Sequence, residues 1–210
     1  MTTAAVHEEQ VDHDEHAEHP TSMGISNTKL AMWVFLSTDC LFFGTLISVY
    51  FLYRAKPPGP YAFELYDIPF TSLSSFILLM SSLTMVLALS AIKRGDVRLM
   101  RIWLVATALL GSTFLGGQIY EFTAFIREGL TMKSSVSASS FYILTGFHGV
   151  HVAIGILMLV SLVYLSMRGR VTSKNAESVE VIGLYWHFVD IVWIVLFVVV
   201  YLLPHPEVAL

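Results

Sequence analysis

The sequence predicts an all-α fold, a polytopic membrane protein built as a bundle of five transmembrane helices. Of the 210 residues, 55% are hydrophobic and only 13% are charged, whereas soluble domains carry roughly 25% charged residues. Five stretches reach the length of about 20 mostly apolar residues that is needed to cross roughly 30 Å of hydrocarbon. These stretches are continuously apolar and do not alternate, so they indicate helices and not the strands of a barrel.

Polar connections separate the five predicted spans. Pro57, Pro58 and Pro60 interrupt the first connection, because proline does not suit a helix interior. The second and fourth connections are basic, and Pro204 and Pro206 end the last span. We expect one transmembrane domain over residues 29–210, with spans at about residues 30–53, 70–92, 102–126, 138–167 and 179–203.

Residues 1–28 differ in composition from the rest of the chain. The segment holds four histidines and six acidic residues and few apolar ones, so it cannot bury enough surface to fold. We expect a disordered tail, rich in histidine and acid, on the cytoplasmic side. It lacks the basic start of a secretory signal, so the first span is expected to remain in the protein.

The distribution of charge predicts the orientation and excludes some classes of protein. Eight of the 12 lysines and arginines flank one side of the predicted bundle and four flank the other. Because basic residues favour the cytoplasm, the N-terminus is expected there and the C-terminus outside. The scattered cations and the net charge of −4 argue against nucleic-acid binding. The single cysteine, Cys40, excludes an internal disulfide framework and a multi-thiolate metal site.

Polar side chains inside the predicted spans are the candidates for a site. Hydrocarbon penalises ionisable groups, so they usually face the interior of a bundle. Three pairs are spaced three residues apart, and each pair therefore shares one helix face. The candidates are Asp39, Gln118, Glu121, His148, His151, His187 and Asp190. We expect them to form one buried polar network, with Asp39, His148 and Asp190 near the middle of the membrane, at about 1.5 Å per residue.

The residues alone leave several interpretations of this network open. It could provide a proton path, a metal site, a clamp for lipid headgroups, or a packing network of hydrogen bonds. Its spacing lacks the Glu-x-x-His pairs of di-iron bundles, so we assign no metal site and no catalytic residue. A stand-alone ion or proton transporter and a membrane di-metal oxidase are the alternatives from other classes. Serines in the second span, and glycines in the third and fourth, are expected to let helix backbones approach closely.

Three stretches of the sequence resemble subunit III of the haem–copper terminal oxidases. They are GQIYEF at residues 117–122, FYILTGFHGVHVAIG at 141–155 and YWHFVDIVWIVLFVVVYL at 185–202. In addition, WVFLSTDCLFF at residues 33–43 is similar to the first helix that the family shares. The chain lacks the first two of the seven helices of the mitochondrial form. It therefore resembles the five-helix bacterial members of the cytochrome c oxidase subunit 3 family.

The resemblance implies a non-catalytic subunit of an aerobic respiratory oxygen reductase in the bacterial plasma membrane. Such a subunit packs on subunit I, in a complex that also contains subunit II, and supports proton uptake and turnover stability in the proton-translocating complex. Haem and copper are then expected in the partner subunits, with no cofactor in this chain. The resemblance also allows contacts with phospholipid and a respiratory supercomplex.

Two motifs resemble families with different electron donors. Thr38, Asp39 and Cys40 resemble the Ser-Asp-Cys of some quinol oxidase members, where many cytochrome c oxidases carry glutamate. The GFHG motif at residues 146–149 resembles cytochrome c oxidases, since quinol oxidases often have threonine in place of Phe147. We favour a cytochrome c oxidase, with a quinol oxidase as the alternative.

Overall fold

The fold is an antiparallel bundle of five long helices. A computed structural model describes residues 26–54, 66–172 and 176–203. All five helices in this part of the chain are long and apolar enough to cross a membrane, and the described residues contain no strand. The predicted fold class is therefore confirmed. Most of the predicted N-terminal tail lies outside the described residues.

The five helices follow one another along the chain. In chain order they are α1 (Asn27–Tyr53), α2 (Ile68–Lys93), α3 (Val97–Arg127), α4 (Val136–Met167) and α5 (Ala176–Phe197). A π-helical turn, Val198–Leu202, continues α5. This turn changes the direction of the last side chains, because a π-helix holds more residues per turn than an α-helix.

Capping side chains explain why the helices begin before the predicted spans. The side chains of Ser26, Asp67, Asp96 and Ser135 each accept a hydrogen bond from the backbone N–H three residues later. These residue types satisfy the free N–H groups at a helix start. These polar caps extend α1 to α4 beyond their apolar stretches, and α3 starts at Val97 and not near residue 102.

α5 is the central helix and α1 lies at the edge of the bundle. α5 packs against α1, α2 and α4, whereas α1 meets only α4 and α5 extensively. In the most apolar part of each helix, 50% of the residues of α5 are buried but only 11% of those of α1. The buried residues of α1 are Leu36, Phe43 and Tyr50, seven residues apart, so this helix is attached along one narrow stripe.

Trp186 of α5 fills the centre of the bundle and needs two glycines to fit. A Cβ atom on Gly111 of α3 would lie 2.5 Å from the indole ring, and one on Gly155 of α4 would lie 2.8 Å from it. The indole N–H donates a hydrogen bond of 2.9 Å to the Ser81 hydroxyl of α2. One side chain therefore joins four helices, and the two glycines allow their close approach.

Gly111→Ala is expected to destabilise the protein by about 1–3 kcal/mol, the usual cost of overpacking a core. The added methyl group meets the rigid indole of Trp186 and must displace it from Ser81. Gly116→Ala is the matched control, because a Cβ atom at Gly116 of the same helix meets nothing within 4 Å. Thermal unfolding of the two variants in detergent measures the difference, and equal midpoints would contradict the central position of Trp186.

Candidate buried polar site

α2 presents a row of hydroxyl groups to α3 and α5. We call Thr71, Ser75, Ser81, Ser82 and Thr84 the hydroxyl row of α2. Apart from their bonds to the backbone of α2 itself, all five contact a polar side chain of another helix. Serine and threonine suit this task in a membrane, because a hydroxyl group can donate one hydrogen bond and also accept others.

Two members of the hydroxyl row hold the indole rings of α5. Ser81 accepts from the N–H of Trp186, and Ser75 accepts from the N–H of Trp193, each at 2.9 Å. An indole N–H can only donate, so each of these buried rings needs an acceptor on a facing helix. The row thereby fixes the rotation of α5 relative to α2.

Glu121 of α3 is hydrogen-bonded to Thr71, the first residue of the hydroxyl row. Its carboxylate accepts a hydrogen bond of 2.9 Å from Thr71 and one of 3.2 Å from the Tyr201 hydroxyl. Tyr201 lies in the π-helical turn that follows α5, and the ring of Tyr66 packs against it with centroids 4.4 Å apart. A cleft of about 160 Å³ beside Glu121, lined also by Asp67, opens near the end of α3.

His187 and Asp190 of α5 both lie near Ser82, but only the histidine is hydrogen-bonded. The Ser82 hydroxyl is 2.6 Å from Nδ1 of His187. Asp190 is only 3% exposed, and neither of its carboxylate oxygens has a partner with hydrogen-bond geometry among the described residues.

His148 of α4 is enclosed by aromatic rings. Its ring stacks on Trp193, with centroids 4.9 Å apart, and meets the edges of Phe114 and Phe43 at 6.0 and 6.5 Å. The residue is fully buried, and within the described part of the chain neither ring nitrogen has a hydrogen-bond partner. His148 therefore packs in this structure as an aromatic ring.

The remaining residues of the seven predicted from the sequence are Gln118, Asp39 and His151. The Gln118 amide donates to the backbone oxygen of Thr145 at 2.8 Å, and its own oxygen packs against Gly149, where a Cβ atom would lie 2.8 Å away. Asp39 of α1 faces His151 of α4, with Oδ2 and Nε2 3.7 Å apart.

The hydrogen bonds do not join the seven predicted residues into one network. Glu121 and His187 bond to the hydroxyl row of α2, and Gln118 joins α3 to α4. Asp39 faces His151 between α1 and α4, while His148 and Asp190 have no hydrogen-bond partner among the described residues. The reason is the arrangement of the helices, since α1 lies at one edge and α2 packs on α3 and α5 instead. No group of three or more His, Cys, Asp or Glu side chains in the described ranges could hold a metal ion. The functional role of the seven residues stays a prediction.

The hydrogen bonds of the serines and of the aromatic donors were not predicted from the sequence. The serines of the second span were expected to serve close packing only, and Trp186, Trp193 and Tyr201 were not among the candidate residues. Serines at helical intervals in one apolar span, together with tryptophans inside another, are a pattern that could have indicated these bonds, because an indole N–H inside a membrane needs an acceptor. The contact of Tyr201 with Glu121 depends on the π-helical turn, which no sequence pattern indicated.

Tyr201→Phe is expected to destabilise the protein by about 0.6 kcal/mol, the average for a side-chain hydrogen bond inside a membrane. Glu121→Leu should cost more, because it removes the bonds from both Thr71 and Tyr201; Thr71 can still donate to the backbone oxygen of Asp67, but Tyr201 loses its acceptor. Tyr120→Phe is the control, since Tyr120 neighbours Glu121 on α3 but is 67% exposed. Thermal unfolding in detergent compares the three variants. The predicted bonding is wrong if Tyr201→Phe and Tyr120→Phe behave alike.

Comparisons with known proteins place the chain in a family. A family model of cytochrome c oxidase subunit III matches residues 8–204. The cytochrome c oxidase subunit 3 of Bacillus sp. (strain PS3) is 40% identical over 178 residues, which cover 84% of this chain and 86% of that protein. The cytochrome c oxidase subunit 3 of Corynebacterium diphtheriae is 40% identical over 172 residues, covering 80% and 84%.

Relatives named for a different electron donor are also similar. The probable quinol oxidase subunit 3 of Staphylococcus saprophyticus is 37% identical over 198 residues, which cover 92% of this chain and 97% of that protein. These matches confirm the resemblance found in the sequence, and the five spans make the chain a multi-pass membrane protein. The chain therefore belongs to the cytochrome c oxidase subunit III family, as subunit III of a haem–copper oxidase, which implies a complex with other oxidase subunits.

Proposed function

We propose that this chain is a non-catalytic subunit that packs on subunit I of an aerobic oxygen reductase and supports its proton uptake and its stability during turnover. In this proposal subunits I and II carry the haem and copper, and this chain carries neither. The observation that supports it most directly is the separation of the three intramembrane histidines into three different environments.

None of these histidines is presented as a ligand for haem or copper. His148 is enclosed by the rings of Phe114, Trp193 and Phe43, His151 is directed to Asp39, and His187 contacts Ser82. A copper or bis-histidine haem site needs imidazole nitrogens that converge on one metal position. Within the described residues the side chains that meet these histidines are aromatic rings, a hydroxyl and one carboxylate, which suits packing between helices.

The outer surface of the bundle is suited to burial in lipid and against other membrane subunits. Large apolar side chains stand exposed on each outer helix, among them Leu41, which is 75% exposed, and Leu157, which is 66% exposed. Such a surface needs hydrocarbon or partner helices around it. We infer contacts with subunit I, with subunit II in the same complex, with membrane phospholipid and with a respiratory supercomplex.

The proposed location is the bacterial plasma membrane, with the N-terminus in the cytoplasm and the C-terminus outside. The support is Arg94, Arg168 and Arg170 in the two connections on the side of Lys29, with Arg98 in the first turn of α3, since basic residues at the ends of spans favour the cytoplasm. The relatives described above come from bacteria.

For the electron donor we propose cytochrome c, with quinol as the alternative. The two motifs that point to different donors pack against each other, because Phe42, next to the Thr38–Cys40 motif, meets Phe147 of the GFHG motif with ring centroids 5.2 Å apart. Relatives with both kinds of name are similar to the chain. We favour cytochrome c because Phe147 stands where quinol oxidases often have threonine.

Purification through a tag on this chain tests the non-catalytic role. We expect the haem-bearing subunits to co-purify, and all haem and copper to stay with them when the chain is dissociated by detergent. The complex without this chain should begin to consume oxygen at a rate similar to that of the complete complex. It should then lose activity sooner during turnover. Haem absorbance or stoichiometric copper in the isolated chain would contradict the proposal, and proton flux through the chain alone in vesicles would favour the transporter.

The electron donor is tested with the same purified complex. Oxygen consumption is measured with reduced cytochrome c and, separately, with a soluble quinol. We expect cytochrome c to support turnover and quinol to support little. The opposite preference would make this chain the subunit III of a quinol oxidase and would leave its non-catalytic role unaffected.

A further inference from the structure

From the uncovered face of α5 we infer an interaction surface: a transmembrane helix of another oxidase subunit lies in the groove between α1 and α2 and accepts a hydrogen bond from His187. This surface rests on the proposed function, since it takes the chain to be part of an oxidase complex. It adds the face of the bundle that is used and the chemistry that the partner helix must carry.

Among the described residues, one side of α5 is covered by no other helix. Tyr185 turns one flank of α5 toward Phe35 of α1, with ring centroids 6.3 Å apart, and His187 meets Ser82 of α2 on the other flank. α1 and α2 make no extensive contact with each other in the described ranges, so a groove with α5 as its floor runs between them. We call the half-buried and exposed residues of this floor, which share one face of the helix, the α5 stripe: Leu184, His187, Ile191, Ile194, Val195 and Val198.

His187 places a nitrogen without a partner on this stripe. Its Nδ1 lies 2.6 Å from the Ser82 hydroxyl, and Ser82 has no other hydrogen bond among the described residues, so the hydroxyl donates and Nδ1 accepts. A neutral His187 therefore carries its hydrogen on Nε2, which has no acceptor in the described part of the chain. Asp190, three residues later, does not supply one, because neither of its carboxylate oxygens has a hydrogen-bond partner there.

The depth of His187 in the membrane decides which partner can supply the acceptor. His187 lies within the span Ala176–Leu202, roughly 12 Å along the helix from Val179, near which the apolar stretch begins. The hydrocarbon is about 30 Å thick, and the polar headgroups of the lipids lie outside it. A lipid therefore offers His187 only acyl chains at this depth, and an N–H left there without an acceptor is costly. A helix of a partner subunit can present a serine, threonine, asparagine or glutamine oxygen instead.

Hydroxyl groups on the outer faces of other helices have no such need. Thr45 of α1, Thr113 of α3 and Ser161 of α4 each donate to the backbone oxygen four residues earlier in their own helix, as serine and threonine in helices can. His187 has two ring nitrogens to satisfy, and the bundle satisfies one of them. The α5 stripe therefore differs from these outer faces by a hydrogen bond that the chain does not complete.

The apolar part of the α5 stripe suits packing against a helix. Ile191, Ile194, Val195 and Val198 are all exposed, and all four are β-branched. Their χ1 angles are already restricted within a helix, so holding them against a partner costs little side-chain entropy. The stripe thus combines a stiff apolar surface with one hydrogen-bond donor.

Photocrosslinking in the assembled oxidase tests what occupies the groove. Ile194 of the tagged chain is replaced by benzoylphenylalanine, the membranes are irradiated, and the adducts are mapped by mass spectrometry. We expect adducts within one transmembrane segment of another oxidase subunit. The same replacement at Leu109 is the control, because Leu109 is 62% exposed on α3, a helix without extensive contact to α5 in the described ranges. It should not label that segment.

Adducts from Ile194 with lipid alone, or with another part of this chain, would overturn the inference when the oxidase subunits still co-purify. Equal labelling of one segment from Ile194 and Leu109 would also overturn it. Absence of any oxidase subunit from the unmodified purified chain would instead contradict the proposed function.

Substitutions of His187 test the hydrogen bond to the partner helix. His187→Phe keeps an aromatic ring but removes the donor, and we expect it to lower the amount of co-purified oxidase subunits several-fold. His187→Gln should restore most of that amount, since an amide N–H can donate to the same acceptor. Ser82→Ala is the matched control, because it removes only the bond within the bundle and should leave co-purification close to that of the unmodified chain. Full retention in His187→Phe, no recovery in His187→Gln, or an equal loss in Ser82→Ala would show that His187 serves the bundle and not a partner.

Discussion

The structure depends on one constraint, which is that polar atoms taken into hydrocarbon need partners within the protein. The hydroxyl row of α2 satisfies most of this requirement. It accepts from Trp186 and Trp193, donates to Glu121 and contacts His187. These bonds orient α5, the central helix, and they place the indole of Trp186 against the two glycines that make room for it. Apolar packing alone would leave α5 free to rotate, because lipid is as apolar as leucine.

Some buried polar side chains have no hydrogen bond among the described residues. The carboxylate oxygens of Asp190 and the ring nitrogens of His148 are the main examples. Aromatic rings surround His148, so its contribution to packing resembles that of phenylalanine. Asp39 and His151 face each other between α1 and α4, with Oδ2 and Nε2 3.7 Å apart. The side-chain hydrogen bonds between helices therefore concentrate on α2, and Asp190 and His148 stay outside them.

The bundle has a central helix, α5, which packs on three others, and an edge helix, α1, which is the least buried of the five described spans. The edge helix α1 is held by a narrow stripe of three buried residues and the pair at Asp39. The GFHG motif of α4 and the Thr38–Cys40 motif of α1 meet in this same region through Phe147 and Phe42.

The number of helices, their approximate limits and the family could be determined from the sequence, because each depends on local composition and on contiguous motifs. Five apolar stretches of sufficient length permit few other folds, and the motifs in the third, fourth and fifth spans carry the family resemblance. The sequence also identified which polar residues stand within the spans. It could not give their partners, since a spacing of three residues defines a helix face but not the helix opposite. Only the tertiary structure decided that Glu121 meets Thr71 and Tyr201, and that His148 meets aromatic rings. Those contacts depend on helix rotation, on the π-helical turn and on two glycines that admit one indole, and all three are set by packing between segments distant in the chain.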